Sequence, residues 1–152
     1  MPILSITLSS VPNSQLERAV LLDTSAILGL FNSTDQWHEK ARHGFALLVE
    51  EKRPIYLTNL AIAEAHSLIL LRLRESIAQA WLDSIKTNNI VYHEPQDHGA
   101  ILGLLRRNQG RGFSYVDVFS FLVMERKGLR LAFTFDRHFQ DYGWEIFPGP
   151  LT

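Results

Sequence analysis

Four acidic residues of this 152-residue chain stand at positions where a carboxylate is costly unless something uses it. Asp23 closes the apolar run AVLLD (Ala19–Asp23), and Asp136 follows the run LAFTF (Leu131–Phe135), so each falls at the carboxyl end of an expected strand. Glu64 comes about one turn into a helical stretch that starts at Leu60. Its neighbours at i−4, i−3, i+4 and i+7 are Leu60, Ala61, Leu68 and Leu71, which places it on an apolar helix face. A carboxylate there must be paired, hydrogen-bonded or bound to a metal. Asp117 lies in the first turn of SYVDVFSFLVMERKG, a helix apolar nearly all round. Oxygen donors of this kind, in a chain without cysteine and without a spaced histidine pair, suit a hard divalent ion, Mg²⁺ or Mn²⁺. A divalent cation held by carboxylates suits phosphodiester hydrolysis, because it activates water and stabilises charge on the attacking and leaving oxygens.

Each acid also has a purely structural reading. Asp is a favoured N-cap at a strand-to-helix turn, which accounts for Asp23 or Asp136 taken singly. Ser114 and Asp117 spell S-x-x-D, the signature of a capping box. Glu64 has Arg72, Arg74 and His66 as candidate ion-pair partners. What capping does not explain is the coincidence of all four acids at one end of one sheet. Like charges brought together raise one another's pKa values, and a fold avoids such a cluster unless a cation holds it.

The elements that position these acids follow from the hydrophobic pattern. Ala19–Asp23, Ile55–Asn59, Asn89–His93 and Leu131–Phe135 read as strands, with Trp144–Phe147 as a short fifth. Between them lie helical stretches at Thr24–Asn32, Gln36–Glu51 (capped by Thr34 or Asp35), Leu60–Arg74, Ser76–Lys86, Gln96–Arg107 and Ser114–Gly128. Strands alternating with helices predict an α/β fold, a three-layer α/β/α sandwich around a parallel sheet of about five strands. In such open sheets ligands bind beyond the carboxyl ends of the strands, where Asp23 and Asp136 lie. The stretch 1–18 is Ser-rich, with Pro12 and Asn13 as turn formers, and reads as an N-terminal extension to a domain spanning 19–150.

Composition sets the outer bounds. Apolar residues at 46% and charged residues at 20% are ordinary for a globular domain of this length. The absence of cysteine excludes disulfides, zinc-thiolate sites and thiol catalysis. A net charge of −1 argues against a simple duplex-DNA clamp but not against a metallonuclease, whose acids are neutralised by bound cations. No apolar run approaches the roughly 20 residues that cross a bilayer, and the first ten residues carry no basic group, so the expectation is a cytoplasmic protein with no membrane association. Arg106, Arg107 and Arg111 around the QGRGF loop, and Arg137 beside Asp136, are candidate phosphate contacts. Basic residues at a helix end also complement its dipole without any ligand. Phe113 and Tyr115 read as core, the six histidines as surface or satisfied residues, and Trp37, Trp81 and Trp144 as packing residues.

Taken in order, LLDTS, the helical Glu in TNLAIAEAHSL, SYVDVFSFLVMERKG and FTFDRHF resemble the PIN-domain ribonucleases, especially the VapC-like toxins of toxin–antitoxin systems. The resemblance runs from about Ala19 to Phe147. It implies Asp23, Glu64, Asp117 and Asp136 as the catalytic, metal-binding acids, with Thr24, Ser25, Ser114 and Thr134 as supporting polar groups. It further implies single-stranded RNA as substrate (tRNA and rRNA among the candidates), homodimerisation, and a small antitoxin that blocks the site. A housekeeping PIN-domain RNA-processing nuclease without an antitoxin and a catalytically silent RNA-binding module are the alternatives. Two rivals from other classes fail. A receiver domain needs an Asp ending the third strand, where NIVYHEP offers His93 and Glu94, and a haloacid-dehalogenase phosphatase needs D-x-D where the chain has Asp23-Thr24-Ser25.

Overall fold

The structure, a computed structural model, describes residues 13–152. It contains five parallel strands: β1 (Val20–Leu22), β2 (Ile55–Thr58), β3 (Ile90–Val91), β4 (Leu131–Phe133) and β5 (Glu145–Phe147). Their order across the sheet is β3-β2-β1-β4-β5, so β1, which leads to Asp23, lies directly beside β4, which leads to Asp136. Register fixes the match: Val20, Leu21 and Leu22 stand opposite Leu131, Ala132 and Phe133.

Residues alternate across β1 because a strand has a period of two, and both faces are covered. Leu21 joins Ile101, Phe119, Phe121 and Met124 on one side, beneath α6 (Asp97–Arg107) and α7 (Tyr115–Lys127). Val20 and Leu22 join Ala26, Ile27, Leu48, Ile69 and Trp81 on the other. That second layer is made by α2 (Thr24–Phe31), α3 (His38–Glu50), α4 (Asn59–Arg72) and α5 (Glu75–Ser84). The expected three-layer sandwich is the observed one.

Several boundaries differ from the sequence reading, each for a local reason. The α3 helix starts at His38 rather than Gln36. The Asn32 and Asp35 carboxamide and carboxylate accept from the backbone N–H groups of Thr34 and Trp37, which spends these residues on turns rather than on the cap. The last residues of the expected extension, Asn13–Arg18, form helix α1. It is tied down by the Arg18 guanidinium, which donates to the Glu51 carbonyl at 2.6 Å, and by Arg53, which donates to the Arg18 carbonyl at 3.1 Å. Residues 1–12 of that extension lie outside the described residues. A short helix, α8 (Arg137–Tyr142), links β4 to β5 and had no sequence signal beyond Asp136 as a cap. Gly143, at φ 118°, ends it in a left-handed turn that a residue with a Cβ would resist.

Candidate active site

Three helices begin at one place on the carboxyl edge of the sheet. Asp23 is the N-cap of α2, Asp136 the N-cap of α8, and Asp117 the acid of a capping box whose N-cap is Ser114. The structural readings of these acids are therefore all correct, and each occupies only one carboxylate oxygen. Asp23 Oδ2 accepts from the Ser25 hydroxyl at 2.8 Å, the Thr134 hydroxyl at 2.8 Å and the Ser25 N–H at 3.3 Å. Asp136 Oδ1 accepts from the His138 N–H at 2.9 Å, and Asp117 Oδ2 from the Ser114 N–H at 3.0 Å. Among the described residues, Asp23 Oδ1, Asp117 Oδ1 and Asp136 Oδ2 take no hydrogen bond. The positive ends of three helix dipoles offset part of the repulsion between the acids.

Ser25 and Thr134 join the strand ends. Each hydroxyl spends its one proton on Asp23 and accepts a backbone N–H from the β4 side. Phe135 N–H donates to Ser25 Oγ, and Asp136 N–H donates to Thr134 Oγ1, both at 2.9 Å. The two hydroxyl oxygens lie 3.1 Å apart. The position of Asp136 is thus linked to that of Asp23 through a single buried threonine.

Electrostatics separate the acids. Burial pushes the Asp23 carboxyl from 3.8 to about 6; the Thr134 and Ser25 hydroxyls pull it down, and the charges of Asp117 and Asp136 push it further up. Burial also raises the Asp117 carboxyl. The Ser114 N–H and the His138 ring hold it lower, while Asp136 adds repulsion. These couplings place Asp23, Asp117 and Asp136 within one another's field.

His138, read from sequence as a surface or satisfied residue, belongs to the site. Its Nδ1 lies 3.0 Å from Asp117 Oδ2 and 3.3 Å from Asp136 Oδ1. One donor atom from each of Asp117, Asp136 and His138 falls within 4.8 Å of the others. The missed signal was its position two residues after a strand-end Asp, in the first turn of a helix that the sequence reading did not contain. His93 and His98 are satisfied residues, contacting the Tyr115 hydroxyl at 2.7 and 3.1 Å.

The remaining candidates make no hydrogen bond or ion pair with these acids among the described residues. Glu64 is half-buried, and among the described residues it makes neither an ion pair nor a side-chain hydrogen bond, so the pairs with Arg72, Arg74 or His66 do not form. Of the apolar neighbours expected around it, Ala61 lies in the buried stripe of α4 with Ala65 and Ile69, Leu60 and Leu68 are half-buried, and Leu71 is 81% exposed. The Thr24 hydroxyl lies 3.5 Å from the Ala61 carbonyl. That contact seats the first turn of α4 against the first turn of α2. Arg111 is held by the Asp141 carbonyl at 2.6 Å and by Asn108, over the Phe113 ring. Arg106 and Arg107 end α6, and Arg137 is exposed at the start of α8. Phe113 and Trp81 are core, as expected; Trp37 stacks on Phe135 at 5.0 Å.

An open parallel sheet that gathers buried carboxylates at its carboxyl edge, on three helix N-termini, defines a class of acidic-site α/β proteins. The PIN-domain family model matches residues 20–145. The chain is 33% identical over 138 residues to the 23S rRNA-specific endonuclease VapC20 of Mycobacterium tuberculosis, covering 85% of this chain and 98% of that protein. Its fold matches the crystal structure of the same organism's VapC20, described as a sarcin–ricin loop cleaving toxin. The TM-score is 0.72 at 25% identity, over 83% of this chain and 96% of that one. The crystal structure of FitAcB from Neisseria gonorrhoeae matches with a TM-score of 0.59 at 19% identity, over 84% and 96% of the two chains. The chain belongs to the PIN-domain family.

Proposed function

We propose that this protein is a divalent-metal-dependent endoribonuclease that hydrolyses phosphodiester bonds in single-stranded RNA and acts as the toxin of a type II toxin–antitoxin pair. One observation carries the chemistry: three acids from separate parts of the chain meet at one edge, each with one oxygen committed to a helix cap and the other, among the described residues, uncommitted. The relative that cuts 23S rRNA points to ribosomal RNA as the substrate class.

The donor set fits a hard divalent ion. Carboxylate oxygens dominate it, and the desolvated Asp23, with its carboxyl raised to about 6, is a group that a cation would hold ionised. Asp117 and Asp136, whose oxygens lie together with the His138 nitrogen, would hold the ion with Asp23 beside them, and Glu64 would supply a fourth carboxylate from α4; a nitrogen donor in the set favours Mn²⁺ over Mg²⁺. Once bound, the ion supplies Lewis-acid activation of water and charge stabilisation at phosphorus. The chain's own contributions are positional. Thr134 and Ser25 fix the Asp23 carboxylate by orienting Oδ2, and Ser114 fixes Asp117. Arg137, exposed beside Asp136, would meet a phosphate; Arg111 is already engaged within its own loop, and Arg106 and Arg107 sit at the end of α6. Apolar side chains left exposed on α3 and α4 (Phe45 38%, Val49 62%, Leu70 46%, Leu71 81%) offer a surface for a second copy or for an antitoxin.

Cleavage of single-stranded RNA, abolished by EDTA and restored by Mn²⁺ or Mg²⁺, tests the reading when wild type is compared with Asp23→Asn and Asp117→Asn. Equal cleavage by all three proteins assigns the activity to a contaminant. RNA binding without cleavage assigns the silent binding module instead.

A further inference from the structure

Beside the acids, at the same carboxyl edge but toward β5, lies a cavity of about 430 Å³. Thr134 and Phe135, the two residues between β4 and Asp136, contribute to its wall, and Phe147 and Pro148 continue it beyond β5. Its opposite side is the start of α3, with Trp37, Lys40 and His43. No acid of the candidate active site lines it, and nothing in the chemistry above uses it.

Resting on the ribonuclease reading, we propose that this cavity binds one unpaired nucleotide of the RNA flanking the scissile phosphate. Three observations converge on that occupant. The walls are aromatic and prolyl: the Trp37 and Phe135 rings stack at 5.0 Å with 3° between their planes, beside Phe147 and Pro148, which suits a flat base. The rim carries an exposed lysine, Lys40. Lys40 lies 5.2 Å from the centre of the Trp37 ring, and among the described residues neither Lys40 nor His43 forms an ion pair, whereas the rim acid Glu39 is matched by Arg42 at 3.9 Å. A base against the aromatic wall and its phosphate at Lys40 satisfy both features, while an apolar peptide would leave Lys40 without an anionic partner. Finally, the cavity and the acids share a wall residue. Thr134 donates to Asp23 at 2.8 Å and Phe135 adjoins Asp136, so the cavity lies next to the acids along the same sheet edge.

The test uses the full chain in EDTA, where binding is read without turnover. A short unstructured RNA labelled with fluorescein is titrated by anisotropy, and cleavage kinetics follow in Mn²⁺. The variants are Trp37→Leu, the exposed pair Lys40→Ala/His43→Ala, and a control pair, Arg72→Ala/Arg74→Ala, where α4 ends and α5 begins. The expected result is Kd and KM raised about tenfold by Trp37→Leu and by Lys40→Ala/His43→Ala. Under Lys40→Ala/His43→Ala, kcat stays within about twofold and the melting temperature is unchanged, while the control pair leaves Kd as in wild type. Trp37→Leu also flattens the preference among homopolymeric RNAs, a readout that loss of packing alone does not give. Wild-type binding with Kd unaffected by Lys40→Ala/His43→Ala overturns the nucleotide site and leaves the ribonuclease reading standing. Equal weakening by the control pair overturns it in favour of general electrostatic attraction. Failure of the wild type to bind or cut any RNA overturns the ribonuclease reading, and the nucleotide site with it.

Discussion

Replacing Asp23 by asparagine removes one charge from the most buried acid of the site while keeping a side-chain oxygen for its three donors. The carboxyl is 4% exposed as a residue and is raised from 3.8 to about 6 by burial, against the pull of Thr134 and Ser25 and with a push from Asp117 and Asp136. A folded-state pKa above the unfolded one means that the native state binds the proton more tightly. Below pH 3.8 both states are protonated and the charge costs nothing; the penalty grows as pH rises through this window and is complete above about 6. Two pKa units correspond to about 3 kcal/mol, which for a domain of this size is a shift of about 6–12 °C in melting temperature. Asp23→Asn is therefore expected to melt higher than wild type in EDTA at about pH 8, with the gap shrinking below pH 6 and vanishing near pH 4. Added Mn²⁺ is expected to stabilise wild type by about 3 kcal/mol at a hundred times its Kd and the variant far less, closing or reversing the gap. Differential scanning calorimetry across pH, with and without Mn²⁺, measures both effects. An asparagine variant that melts no higher than wild type at pH 8 without metal, or whose advantage persists unchanged at pH 4, refutes the reasoning.

The other acids and their supports separate in the same assays. Asp117→Asn keeps an acceptor for the Ser114 N–H and is expected to lose at least about a hundredfold in cleavage rate with a near-wild-type melting temperature, whereas Asp117→Ala also loses the cap and about 1 kcal/mol in urea unfolding. Thr134→Val deletes the donor to Asp23 and the acceptor for the Asp136 N–H, so it is expected to cost about 1–3 kcal/mol and to move the acidic limb of the pH–rate profile upward, because Asp23 loses a group that favours its ionised form. Gly128→Ala, at φ 71° in the C-cap of α7, is expected to cost about 1 kcal/mol and leave kcat unchanged, as chemical denaturation and steady-state kinetics will show.

The sequence by itself determined the elements and the roles that are local to them. Apolar runs of strand length, S-x-x-D before an apolar helix, and an Asp ending each of two strands are encoded within a few residues of one another, because capping and hydrophobic period are short-range effects. For the same reason the sequence could not rank capping against metal binding. Asp23, Asp117 and Asp136 do cap helices, and whether their second oxygens share a hollow depends on groups dozens of residues apart. The sheet order brings these acids to one edge, by laying β1 against β4 and bringing Thr134 to Asp23 across 111 residues of chain. Tertiary packing alone also recruited His138 through the short α8 helix and exposed Leu71 where a helical count had buried it. It engaged Arg111 within its own loop and left Glu64 without an ion-pair partner among the described residues. A side chain's type fixes the chemistry it is able to do, but its neighbours set its pKa and its open coordination positions, and for these residues the neighbours come from distant strands.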